Sequence, residues 1–161
     1  MEWRKALLCC SLPLVLMEGC TGGLDPEALP KEAKIQGVVY FRGTWPPQDS
    51  LYDLRVVAFQ QYPPRNVVDE VLSGRAVFSE RLRFRVDSEP YQLVVSQTPM
   101  VFRYIVVAQQ YGSDIFQHWR VVGVYARDVT RPDSLRVEPG EIYAGVDIVV
   151  DFDRLPPQPF E

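Results

Sequence analysis

The chain has 161 residues, 47% of them hydrophobic and 24% charged, with a formal net charge of −4. That is enough for one folded domain with a sizeable core and thin for two, and the apolar content excludes an intrinsically disordered chain. A mildly acidic protein is poorly built to hold a phosphate backbone, so no nucleic-acid partner is expected.

In chain order, the first segment reads as an export signal. Arg4 and Lys5 form a positive start, and Ala6 to Leu16 is an apolar run too short to span a bilayer, which needs ~20 residues. No alanine lies between Leu7 and Leu24, so the A-x-A site of an ordinary signal peptidase is absent. Leu16-Met17-Glu18-Gly19-Cys20 resembles instead the bacterial lipobox, in which a small residue precedes a cysteine that is acylated and becomes the new N-terminus. Gly19 fits that pattern and Met17 replaces its usual leucine, while Glu18 departs from the small or apolar residue normal there. Cys9, Cys10 and Cys20 are the only cysteines, so a mature chain starting at Cys20 has neither a disulfide framework nor a thiol nucleophile in its body. Two or three acyl chains on Cys20 would anchor it firmly, at about 0.8 kcal/mol per buried CH₂.

The expected organisation is a signal peptide over 1–19, a tether over 20–34, a β-domain over 35–154 and a proline-rich tail over 155–161. Gly22, Gly23, Pro26 and Pro30 punctuate the tether. Strands are predicted at Ile35 to Phe41, Leu54 to Phe59, Arg81 to Val86, Tyr91 to Val95, Val101 to Gln109, Trp119 to Tyr125, Leu135 to Val137 and Gly145 to Phe152. In Arg81 to Val86, Leu82, Phe84 and Val86 alternate with three arginines. Asn66 to Gly74 reads as a short helix crossing between two sheets, with Asn66 as N-cap, Gly74 as stop, and Val67, Val68, Val71 and Leu72 on one face. Seven or eight short strands with Pro, Gly and Asp breaks predict an all-β, antiparallel sandwich.

The opening Ile35-Gln36-Gly37-Val38-Val39 resembles the I-x-G-x-V strand of transthyretin-like, carboxypeptidase-regulatory-like β-sandwich domains. Leu54 to Phe59 is similar to their second strand, and Phe102 to Ala108 to a later Y-x-V-x-V strand. The WP turn, YPP break, WRVVGVY strand and LPPQPF tail also resemble uncharacterised bacterial lipoproteins. These likenesses imply a rigid spacer or interaction module without catalytic residues.

The residues themselves point to little chemistry. His118 is the only histidine and no G-x-S-x-G accompanies it, so a hydrolytic triad is not expected, nor is a zinc site. Asp147, Asp151 and Asp153 share one face of the last predicted strand. Asp147 and Asp151 lie roughly 13 Å apart on such a strand and Asp151 and Asp153 about 7 Å, so only Asp151 and Asp153 with a neighbouring loop could approach one calcium ion. Their expected role is a polar face partly paired with Arg81, Arg83 and Arg85. Trp45, Tyr62, Tyr111, Phe116 and Trp119 fall in or beside predicted loops and form the candidate binding surface, with Trp45 expected to be the most exposed. The alternative for Tyr111 and Trp119 is that they plug the core ends.

The expectation is therefore a non-enzymatic lipoprotein of the bacterial cell envelope, facing the periplasm or cell surface and held at the outer membrane, with no cofactor. Its partners are the membrane, through the lipid, and another envelope protein. The alternative function is a small-ligand or carbohydrate-binding lipoprotein that uses the loop aromatics.

Overall fold

A computed structural model describes residues 31–128 and 131–159. The expected signal, Cys20 and all of the tether before Lys31 lie outside the described residues. Period-two alternation builds β1, Ala33–Arg42, in which Ala33, Ile35, Val39 and Phe41 are buried and Gly37 occupies the inward position between them. Ala33 is fully buried, so β1 starts two residues before the expected start of the domain at Ile35.

The remaining strands are β2 Asp53–Phe59, β3 Ala76–Phe78, β4 Ser88–Val95, β5 Met100–Phe102, β6 Tyr104–Gln110, β7 Trp119–Val124, β8 Leu135–Val137, β9 Ile142–Tyr143 and β10 Ile148–Asp151. The one helix, α1, spans Val67–Leu72. The fold is all-β. Eight strands form one mixed sheet in the order β3-β2-β6-β7-β10-β1-β4, with β9 also on β1, and β5 pairs with β8 separately. The large sheet curls into a half-barrel that brings β3 near β4. Its concave side holds the main core, in which Ile35, Val39, Leu54, Val56, Leu93, Ile105, Val107 and Ile148 meet, and Phe102 and Val137 of the small sheet join them.

A second cluster on the convex side contains Val57, Phe59, Tyr104, Val106 and Val121, covered by Val67 and Val71 of α1. Strand β6 is thus buried on both faces, which is why its sequence is a continuous apolar run without alternation. The Asn66 side chain caps α1 by accepting from the Val68 and Asp69 N–H groups.

Several expectations are corrected. The sheet is not all antiparallel, because β1 runs parallel to both β9 and β10. Ten strands are present among the described residues. Arg81 to Val86 is not a strand: Arg85 adopts a left-handed φ of 57°, which breaks an extended run. The alternation survives as burial, with Leu82 at 2% exposure and Phe84 and Val86 packed on the core. Val101 to Gln109 is divided at Arg103, since β5 leaves to pair with β8 while β6 stays between β2 and β7. Helix α1 does not cross between sheets but links the neighbours β2 and β3. Leu72 is 75% exposed, and Glu70 takes the buried side of the helix, ion-paired at 2.8 Å with Arg75.

Gly37 explains a local irregularity. Between β9 and β10 the chain bulges over β1, so the Val146 carbonyl lies directly above Gly37, where a Cβ would come within 2.0 Å of its oxygen. The Val146 N–H donates to the Gln36 carbonyl, the Tyr91 hydroxyl donates to the Val146 carbonyl at 2.6 Å, and the Asp147 carboxylate accepts from the Val38 N–H. Burial, reinforced by the charge of Asp147, holds the Tyr91 hydroxyl above the ordinary tyrosine range.

Candidate binding cleft at the β6–β7 end

The loop between β6 and β7 is folded by its own polar groups. The Tyr111 N–H donates to the His118 carbonyl, and the His118 N–H donates to the Asp114 carbonyl. The Asp114 carboxylate accepts from the Phe116 and Gln117 N–H groups, a side-chain-capped turn. This turn lifts two apolar residues outward, leaving Ile115 52% and Phe116 55% exposed. The Trp119 indole N–H donates to the Ile115 carbonyl, and the Asn66 amide donates to the Phe116 carbonyl, tying the start of α1 to the loop.

Beside the loop lies a cleft of about 480 Å³. Tyr111, Trp119 and Arg120 form one side, and Leu155, Pro156 and Gln158 of the tail form the other. Prolines keep the tail from adding a strand, but Gln158 substitutes for one. Its side-chain oxygen Oε1 accepts from the Val121 N–H at 2.8 Å, and its side-chain Nε2 donates to the Val121 carbonyl at 2.9 Å. β10 pairs with β7 only at Gly123, so Gln158 satisfies backbone groups that β10 does not reach.

Arg120 is held within the cleft wall. Its Nε donates to the Gln109 side-chain oxygen at 3.1 Å, and its guanidinium carbon stands 5.6 Å from the centre of the Tyr111 ring. Gln109 is itself fully buried, and its amide donates to the Ser50 carbonyl at 2.6 Å. His118 lies 5.3 Å from the same tyrosine ring and accepts the Asp114 N–H on Nδ1.

Of the five aromatics read from the sequence, Tyr111 and Trp119 line this cleft, and Phe116 stands exposed on the loop beside it. Trp45 is not at the cleft, and it is not the most exposed of the set. It packs 4.8 Å from Phe41 and 4.6 Å from Phe152, closing the core where β1 and β10 end. Tyr62 is 49% exposed and rests 4.9 Å from Tyr104, at the opposite end of β6 from Tyr111.

The aspartates are engaged one by one. Asp147 accepts the Val38 N–H, Asp153 accepts the Thr44 N–H, and Asp151 accepts the Asp153 N–H and pairs with Arg154. They do not face the arginines expected opposite them: Arg81 pairs with Asp53, Arg83 with Glu89, and Arg85 donates to the Pro46 carbonyl. Among the described residues no three His, Cys, Asp or Glu side chains gather as a metal site.

No protein-family model, curated protein or solved structure matches this chain.

Three site residues escaped the sequence reading: Gln109, Arg120 and Gln158. The available signal was polarity out of place, a glutamine closing the apolar run of β6 and another inside a proline-rich tail.

Proposed function

We propose that this chain is a bacterial envelope lipoprotein, anchored through acylated Cys20, whose β-domain is a non-catalytic docking module for another envelope protein. The observation that carries the docking part is the exposed group of Tyr111, Ile115 and Phe116 beside a ready-made cleft, since exposed apolar clusters with a concave neighbour mark partner surfaces. His118 spends its Nδ1 on a loop N–H, which favours a positional role over a catalytic one. The anchor reading draws on Arg4, Lys5, the apolar run to Leu16 and Gly19-Cys20.

A transthyretin-like sandwich remains the reading of fold ancestry. It is supported by the Ile35-x-Gly37 opening and by facing apolar surfaces of β1/β4 and β2/β6, while the parallel β1–β10 pair departs from it.

Two measurements test the proposal. Intact-mass analysis of the membrane fraction is expected to show a chain beginning at Cys20 with added acyl mass; a soluble chain cut elsewhere overturns the anchor. A photo-crosslinking residue at position 116 is expected to capture a discrete envelope protein, while the same probe at Tyr62 does not. Equal capture at both positions, or none at 116, overturns the docking face.

A further inference from the structure

We infer that the cleft is a carboxylate-binding site in which Arg120 grips the acid and Tyr111, Trp119 and Pro156 hold a flat apolar body attached to it. The inference deepens the docking reading, and rests on it, by naming the chemistry the cleft accepts.

Arg55, Arg75, Arg81, Arg83, Arg136 and Arg154 each meet a carboxylate, and the other described arginines without an ion pair, Arg42 and Arg103 among them, are solvent-exposed. Arg120 has no carboxylate partner among the described residues, although it is half-buried and lies in a chain of net negative charge. A partly buried cation without a counter-ion favours an anion that can reach it.

Only Nε is committed, to Gln109, and the ring of Tyr111 lies against the guanidinium. Gln109 is fully buried in β6, where an apolar residue would satisfy packing, and its amide is consumed in holding Arg120 on one side and Ser50 on the other. Gln109 is a positioning residue: it fixes the plane of the guanidinium so that the two terminal nitrogens remain for the cleft. That edge of arginine matches a carboxylate bidentately, which a lysine cannot do.

A volume of about 480 Å³ is within the range of small-molecule sites. Two aromatic rings and a proline line it, and such walls favour planar apolar groups. The acid can come from a free small molecule or from an acidic side chain beside an aromatic residue on a partner protein.

The test titrates the purified anchored chain in detergent with benzoate, with benzamide, and with the capped tripeptides Ac-Trp-Glu-Pro-NH₂ and Ac-Trp-Gln-Pro-NH₂, following the Trp119 indole N–H and Arg120 Nε–H resonances by NMR. Saturable binding of each acid is expected at least tenfold tighter than its amide, with that preference abolished in Arg120→Lys. A tripeptide acid tighter than benzoate identifies a protein source, and the reverse identifies a free acid. Equal binding of acid and amide, full retention of the preference in Arg120→Lys, or no saturation by either acid below about 10 mM overturns the inference. Should Arg120→Lys fail to fold, the acid-against-amide comparison on the unaltered chain decides alone. Crosslinking through position 116 that persists while the acids fail leaves the docking face standing and removes only this inference.

Discussion

Replacing Gly37 by alanine places a Cβ 2.0 Å from the Val146 carbonyl oxygen and 3.1 Å from the Tyr91 ring. Ordinary contact begins at 3.4 Å, and the obstructing atom is backbone. That carbonyl cannot drift freely, because the Val146 N–H is tied to Gln36, the neighbouring Asp147 is tied to the Val38 N–H, and the carbonyl itself takes the Tyr91 hydroxyl. Forcing it away costs about 1–3 kcal/mol as overpacking. Loss of the Tyr91 bond, with a buried hydroxyl left unpaired, adds about 1–3 kcal/mol. The sum, about 2–6 kcal/mol, is a large part of the ~5–15 kcal/mol that holds a typical domain together. It corresponds to a fall in Tm on the order of 10–20 °C. Urea and thermal unfolding followed by near-UV circular dichroism measure it. Gly145→Ala is the control, because Gly145 has a left-handed φ of 77° but open space where its Cβ would lie. It should cost only the conformational strain of about 1–2 kcal/mol. If Gly37→Ala loses less than about 1 kcal/mol, or no more than Gly145→Ala, the steric account of the β1 crossing is wrong.

Arg75→Ala leaves Glu70 fully buried without its cation, so it should lower the urea midpoint. Glu70→Leu should be milder, and equal urea midpoints for the two variants would contradict this. Burial holds the Tyr91 and Tyr104 hydroxyls above the ordinary tyrosine range, so the folded chain keeps protons that the unfolded chain releases near pH ~10. Their contribution is complete below that pH and is lost as pH rises above it, by about 1.4 kcal/mol per pH unit for each tyrosine. Urea midpoints from pH 9 to 11.5 should show this fall, with a shallower slope in Tyr91→Phe; an unchanged slope refutes the assignment. Trp45→Ala should cost about 2–3 kcal/mol, as a half-buried aromatic packed on Phe41 and Phe152, and leave the cleft's probe binding unaltered.

Much of the local structure was legible because its signals are local. Period-two alternation and β-branched residues marked β1, β2, β4 and β7, and the Asn66 cap marked α1, since a cap is written within three residues of the helix start. The aromatic content of the 111–119 loop was equally visible. Alternation alone misled at Arg81 to Val86, where an irregular segment running along the edge of β2 buries every second residue as a strand does. It is β3, three residues long, that pairs there. The division at Arg103 was invisible because both halves are apolar and only their partners differ.

Periodicity, caps and breakers determined the all-β class and which side of each strand is apolar, because those depend on neighbours in the chain. The curl of the sheet, the parallel pairing of β1 with β10, and the burial of β6 on both faces were decided only by tertiary structure. So was the site: Trp45 and Trp119 look alike in sequence, yet one closes the core and the other walls a cleft. Arg120 is aimed by Gln109, eleven residues away, and the cleft is completed by Gln158, thirty-seven residues beyond Val121. Such contacts are set by strand order and curvature, which no local pattern encodes.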